Sequence, residues 1–516
     1  MAADHIQPEG RHVDVGAPRA MPKPLSRCQL LCYGLGGVGW ASASNMVGIL
    51  LVFFYIPPSN VGGDACFTTN TTSSGLNSNS SSGPESLFPI YVPQASFATV
   101  LNTIVLLAAA GRLWDAVTDP CVASYSDRRR WQWGRRIPML ALGGVPAALF
   151  SALLFFPIVP ANSIWNVAWL AVVQVCFYTA LTVYCTPFFA LVPEFGHTEA
   201  QRLDLSVACS ASFAIGGVLA TLTSSIGAAS GFETAEAGLQ FGVVAVSVCN
   251  AILMYAPVVA IRERDHAAAP ADSAALLTGL RACAANPAFR CYVAADLAFF
   301  YASAIIQTAL PFYLNVLFCA PDLLTPVVAA LVLMSLLWYY PVARLARRFG
   351  KKRLILAAMA ALASIFIAVA FAGQPVGYIP ATAQLFGGVA LISVPMSALG
   401  MLPNACLADI VVHDQLRSGQ SNEGLFFAGR TFLQKIGTTL GIMTFASLTN
   451  AGNSPGVPFV TDLGVRLSGP ACGGFFLVAM IVFSGYDEGR LRSETEAMLA
   501  DKERTGGGAQ RVLASG

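Results

Sequence analysis

The stretch GRRIPMLALGGVPAALFSALLFFPIVPANSIWNVAWLAVVQVCFYTALTVYCTPFFALVPEF fills residues 134–195. It opens on Arg135 and Arg136, runs apolar to Phe156, breaks at PIVPANS (157–163) and runs apolar again. The next basic residue is Arg202. A bilayer core takes about 20 residues per helix, so a run of this length holds two crossings. It reads as a helix out, a Pro/Asn turn, and a helix back.

The same reading extends outward in both directions. Six long apolar stretches cover 28–127, 137–201, 203–261, 291–343, 354–416 and 418–489. Each has a polar or Pro/Gly break near its middle, at 57–92, 157–163, 228–238, 319–325, 373–380 and 450–466. Six hairpins make twelve spanning helices. Lys and Arg crowd the junctions between hairpins, as in DRRRWQWGRR (127–136) and RLARRFGKKR (344–353), and none occurs from 28 to 111. The six breaks carry a single basic residue, Arg466. The positive-inside rule then puts both termini and the basic clusters in the cytoplasm. These runs are too long and continuous for a closed β-barrel, the other spanning structure.

Composition agrees. Hydrophobic residues make up 55% of the 516 and charged residues 11%, against roughly 25% charged in a soluble domain. The mean hydropathy is +0.62. A net charge of +2 excludes a nucleic-acid partner. The 46 Gly and 30 Pro suit membrane helices. The expected fold is therefore an all-α membrane protein of twelve transmembrane helices.

Its expected organisation follows. Residues 1–27 form a disordered cytoplasmic tail without a signal-peptide pattern. Residues 28–261 form an N-terminal six-helix bundle, within which 57–92 is an external low-complexity loop. That loop holds two glycosylation sequons, at Asn70 and Asn79. Residues 262–287 are a cytoplasmic linker, 288–487 a C-terminal six-helix bundle, and 488–516 a charged cytoplasmic tail. Most of the 13 Cys lie in apolar runs and read as small hydrophobes. Cys66 and Cys319 fall in external breaks, where a disulfide can form. The halves echo one another: Gly134 and Gly350, and likewise Pro187 and Pro403, stand 216 residues apart. A shared offset points to a duplicated six-helix unit, and two such halves around a central site are a transporter architecture.

Charges at bilayer depth are costly, so they mark function. GRLWDAVTDP (111–120) puts Arg112, Asp115 and Asp119 on one helical face at i, i+3 and i+7. Carboxylates one turn apart repel unless a cation or proton lies between them. Paired carboxylates are also the oxygen ligands that hard cations prefer. A latch to cytoplasmic arginines is the alternative for Asp119. Asp127, Arg135 and Arg136 read as such an intracellular latch. In helix eleven, EGLFFAGRTFLQKIGTTLGI carries Arg430, Thr431 and Lys435. Lys435 lies near mid-membrane, where it either snorkels or pairs with a helix-two carboxylate or an anionic substrate group. Asp296 in helix seven reads equally as a structural partner of Arg430 or as a ligand. There is no nucleophile–base constellation, and two of the five His, His5 and His12, lie in the tail, so an enzyme is not expected.

At these residues the chain resembles a known family. W-D-x-x-x-D-P on helix two followed by G-R-R-x-P, P-F-F-A-L-V-P on helix four, and E-x-x-F-F-x(7)-K on helix eleven are similar to the glycoside–pentoside–hexuronide cation symporters of the major facilitator superfamily. The resemblance implies two pseudo-symmetric six-helix bundles and a single-chain transporter of the plasma membrane. It implies no cofactor beyond a coupling ion, sodium or a proton. It places cation ligands on Asp115, Asp119 and Thr182, and coupling on Lys435, with Arg112, Arg430, Asp296 and Thr431 as further substrate or coupling residues. Two departures stand out. Cys185 occupies a helix-four position where melibiose-type carriers have Asp, and helix one (GGVGWASASNM) has no acid. Sodium-dependent lysophosphatidylcholine symporters, a second branch, lack both acids too. The resemblance to that branch implies a lysophospholipid substrate. A sugar or other polar solute is the alternative, and a non-transporting receptor or scaffold a further one, against which the buried charges argue.

Overall fold

The computed structural model describes residues 25–56, 88–93, 96–97, 101–128, 134, 136–195, 199–262, 285–372, 380–418, 423–449, 462–498 and 500. These residues hold twelve long helices: α1 (Arg27–Tyr55), α2 (Thr103–Arg128), α3 (Ile137–Leu153), α4 (Ile164–Phe195), α5 (Glu199–Ala229), α6 (Ala235–Ala260), α7 (Pro287–Phe312), α8 (Leu324–Phe349), α9 (Lys351–Ala368), α10 (Ala381–Ser418), α11 (Glu423–Leu448) and α12 (Asp462–Ser484). The chain is an all-α, multi-pass membrane protein. Nine of its spans qualify on length and hydropathy alone. Of the other three, α3 is short at 17 residues, and α2 and α11 carry the charges of the candidate site.

Packing follows one scheme twice. In the first half α1 packs on α5 and α6, α3 on α4 and α6, and α2 on α4. In the second, α7 packs on α11 and α12, α9 on α10 and α12, and α8 on α10. Adding six to each helix number converts one set into the other. The contacts between halves obey the same symmetry, with α2 against α11, α5 against α8, and α1 against α7. Gly134 and Gly350, the residues 216 apart, both adopt positive φ (123° and 88°) ahead of α3 and α9. A side chain there would be strained, which is why each tight turn carries glycine.

Small residues bring backbones together where lipid offers no hydrophobic drive between helices. A Cβ added at Gly216 on α5 would come within 2.8 Å of the Val38 carbonyl oxygen on α1. Gly437 and Gly441 on α11 lie as closely against α7: a Cβ at Gly437 would come within 2.6 Å of the Leu297 oxygen. By contrast, α8 turns Leu333, Leu336, Leu337, Trp338 and Tyr340 outward. Exposed apolar side chains in such density fit a lipid surface rather than water.

Three details refine the sequence reading. Helix α2 begins at Thr103, preceded by a short pairing of Ser96–Phe97 with Leu101–Asn102. The end of the 57–92 break is built into the core: Phe88, Tyr91 and Val92 are buried, and the Tyr91 hydroxyl donates to Glu236 at the start of α6. Burial and that carboxylate push the Tyr91 hydroxyl's pKa up. Arg466, the single basic residue in the breaks, donates to the carbonyls of Ala370 and Ala372 (3.2 and 2.7 Å). It caps the end of α9, where a cation is favoured by the helix dipole. Cys319 is disulfide-bonded; Cys66 lies outside the described residues, as do Asn70 and Asn79.

Because α7 and α11 touch backbone to backbone at Gly441, Gly441→Val is expected to destabilise the protein by about 1–3 kcal/mol through overpacking. A thermal melt of the purified protein in detergent checks this, as a fall of several degrees in Tm.

Candidate functional site

Helices α2 and α4 run side by side in the same direction, and their polar residues pair at a fixed offset. Thr182 Oγ1 donates to Asp115 Oδ1 at 2.5 Å, and Thr186 Oγ1 donates to Asp119 Oδ1 at 3.2 Å. Acids four apart on α2 thus meet threonines four apart on α4, as side chains one turn apart share a face. Next to Asp115, Trp114 Nε1 donates at 2.9 Å to Thr179 Oγ1, one turn before Thr182 on α4. The Thr118 hydroxyl donates to the Asp115 carbonyl oxygen (3.1 Å) and lies 3.3 Å from the Thr182 hydroxyl.

Lys435 reaches this ladder from the other half of the molecule. Its Nζ lies 2.9 Å from Asp115 Oδ2 and also pairs with Asp119 Oδ2. Asp115 is buried and Asp119 half-buried. One ammonium therefore neutralises part of a two-carboxylate charge at the seam between α2 and α11. Around it converge four carboxylate oxygens and the hydroxyls of Thr182 and Thr186. Such a set of hard oxygens suits a small alkali cation. Cys185 lies on α4 between the two threonines, within electrostatic reach of Asp115, Asp119 and Lys435.

Of the two readings for Lys435, pairing with helix two is the arrangement found; it does not snorkel to the surface. Asp119 likewise faces Lys435. Arg112, one turn before Asp115, stacks on Tyr178 with its guanidinium carbon 5.5 Å from the ring centroid. Its Nε is buried without a hydrogen-bond partner. Asp296 pairs with Arg430: Nε–Oδ2 is 2.9 Å and Nη2–Oδ1 is 3.2 Å. Gln434 Nε2 donates to the same carboxylate at 3.0 Å, and Arg430 Nη1 donates to Asn404 Oδ1. So Asp296 and Arg430 satisfy each other inside the second half, apart from the Asp115–Lys435 group. Thr431 is exposed on α11. Arg136 sits at the N-cap position of α3. The side chains of Asp127 and Arg135 lie outside the described residues.

Sequence reasoning missed Thr186, Gln434 and Asn404. The repeat of four-residue spacing, Asp115/Asp119 against Thr182/Thr186, is the signal that finds Thr186. Nothing in the local sequence marks Asn404, which meets Arg430 only through the packing of α10 and α11.

A buried pair broken on one side leaves a stranded charge. Asp296→Ala is expected to cost about 3–5 kcal/mol, whereas the double change D296N/R430Q, which strands no charge, costs well under that. Thermal melts of the two purified variants check the order.

The family model described as MFS/sugar transport protein matches residues 32–458. Sodium-dependent lysophosphatidylcholine symporter 1 of Homo sapiens is 24% identical, over 94% of this chain and 90% of that protein. Inner membrane symporter YicJ of Escherichia coli is 22% identical, over 67% of this chain and 73% of that one. An uncharacterized symporter of Synechocystis is 26% identical over 42% of this chain, and the match spans only 35% of that relative's length. Among solved structures, a D-xylose-proton symporter superposes with a TM-score of 0.60 at 11% identity, covering 89% of this chain and 97% of that one. The nucleoside transporter NupG gives 0.58 at 13% identity, over 89% and 99%. At these identities the structures speak for the fold alone. The family model covers most of the chain, and the twelve helices pack as its fold requires: the chain belongs to the MFS/sugar transport protein family, a family of multi-pass membrane transporters.

Proposed function

We propose that the chain is a cation-coupled symporter that works by alternating access, with sodium as the coupling ion. The observation that carries this reading is the seating of Lys435 Nζ on Asp115 and Asp119. The ammonium is a tethered cation at the place where a free one would bind. Two carboxylates with Lys435 alone carry a net charge of −1; adding one sodium brings the group to zero. Sodium entering among the Asp115, Asp119, Thr182 and Thr186 oxygens loosens the hold on Lys435. The released ammonium then faces the seam between the halves, free to pair with an anionic group of the substrate. Exchanging the tethered cation for a free one removes the ionic link between α2 and α11, which lets the two helices move past one another. The membrane potential adds about 2.3 kcal/mol per charge per 100 mV, which makes uptake directional.

Several bonds between the halves lie at the end of the helices opposite the chain termini. Gln307 Nε2 donates to Asn45 Oδ1 at 2.9 Å, Ser225 Oγ to Thr325 Oγ1 at 2.8 Å, and Phe53 packs edge-on against Phe312. With both termini in the cytoplasm, these contacts close the outer end of the seam. The plasma membrane is the proposed site of action.

For the substrate we propose a lysophospholipid such as lysophosphatidylcholine. A relative of that activity aligns over most of the chain, α1 carries no acid to bind a sugar, and Lys435 with Arg112 offers cations to a phosphate. Asp115→Asn is expected to abolish sodium-stimulated uptake of labelled lysophosphatidylcholine with surface expression intact; full uptake would remove the site from the account. A panel of labelled sugars over a sodium and pH series separates the polar-solute alternative and the proton. Lys435→Ala is expected to bind sodium at least as tightly as the native protein, since the tethered competitor is gone, yet to transport no lysolipid. Sodium titration of intrinsic fluorescence together with vesicle uptake measures both halves of that expectation.

A further inference from the structure

Helix α11 shows two faces of different character. One face is fixed to α7 along its length. Phe426 packs edge-on against Phe289, with centroids 4.9 Å apart. Arg430 and Gln434 hold Asp296. Gly437 and Gly441 press on the α7 backbone. Thr444 hydrogen-bonds Tyr301, and Phe445 packs against Phe312 at 5.1 Å. Lys435 lies off this stripe, about 100–160° around the helix from Gln434, Arg430 and Gly437 at 3.6 residues per turn. Apart from the Thr444–Tyr301 hydrogen bond near its far end, the stripe is apolar or glycine except at Asp296–Arg430–Gln434. The glycine contacts fix how closely α11 approaches α7, while the apolar contacts are non-directional and leave its fine rotation loosely set. A bidentate arginine–carboxylate pair does not, because its geometry is fixed on both sides. Buried ion pairs serve register better than stability.

We infer that Asp296, with Arg430 and Gln434, is a positioning group that sets the rotation of α11 and thereby aims Lys435 at Asp115 and Asp119. Asp296 does not bind the cation. It acts through Lys435, by holding the ammonium where it competes with sodium. This inference rests on the proposed exclusion between Lys435 and sodium, and the test keeps the two apart. Sodium affinity is read by fluorescence titration of the full-length purified protein, in four forms: native, Lys435→Ala, D296N/R430Q, and the triple variant D296N/R430Q/K435A. Retention of a cooperative thermal melt shows that each form is folded.

With the clamp removed, Lys435 competes less well. The half-saturating sodium concentration of D296N/R430Q is expected to fall by about tenfold, the change that ~1.4 kcal/mol of weakened competition gives. In the Lys435→Ala background the same two substitutions are expected to change nothing, because there is no ammonium left to aim. A merely structural role for Asp296 would lower Tm alike in both backgrounds and leave sodium affinity alone. Three results overturn the inference. One is native sodium affinity in D296N/R430Q while Lys435→Ala binds tighter. Another is an equal shift in the native and Lys435→Ala backgrounds. The third is weakened sodium binding in D296N/R430Q, which would make the pair a direct contributor to the ion site. If Lys435→Ala itself leaves sodium affinity unchanged, it is the exclusion of sodium by Lys435 that fails, and the positioning role falls with it.

Discussion

Two carboxylates one helical turn apart in the middle of a membrane protein cannot both stay ionised without a cation. At about 5.4 Å and an effective dielectric of 20, their repulsion is about 3 kcal/mol, before any cost of leaving water. The chain answers this with Lys435, brought from 316 residues further along. The polar surroundings of Asp115 and Asp119 complete that pairing. The threonines of α4 give each carboxylate a second hydrogen bond, so that neither leans on the ammonium alone. The lysine joins the two halves at mid-depth, so whatever replaces it there also changes how the halves are held.

On the proposed function the group is the point of coupling, because its occupancy and the relation between the bundles are the same variable. On the proposed reading, a tethered cation and a free one contend for one set of oxygens. The tethered one cross-links α2 to α11, while the free one does not. The rest of the molecule is built to let that difference matter. Within each half, glycines draw helices into backbone contact and make rigid units. Between halves, the described contacts include an amide pair, the hydroxyl chain Ser225–Thr325–Thr221 carbonyl and one aromatic edge at one end, and the ionic group in the middle.

The second buried ion pair shows how differently two charged groups on one helix are used. Arg430 and Asp296 are both on the same side of the seam, and their partners Gln434 and Asn404 complete their hydrogen bonding. Such a closed set has no deficit for a ligand to fill. The two carboxylates of Asp115 and Asp119 share the single ammonium of Lys435, and the proposed function gives that remaining negative charge to a coupling cation. Charge count separates the anchoring pair from the exchanging one, although both read alike as ionisable residues in apolar helices.

The sequence by itself determined the number of spans, because hydrophobic length is local. It determined the distribution of basic residues between the two ends, and with the i, i+4 spacing of Asp115 and Asp119 it determined which residues face one way on α2. It also marked Lys435 and Arg430 as out of place in an apolar helix. Only the tertiary structure decided which charge meets which: that Lys435 crosses to α2, that Arg430 stays with Asp296, and that Thr186 and Asn404 belong beside them. It also turned the end of the low-complexity break, Phe88 to Val92, into part of the core. The reason is physical. Hydropathy and periodicity report on one helix and its solvent. Pairing depends on how closely two helices approach and on the rotation of each about its own axis, which contacts between residues far apart in the chain decide.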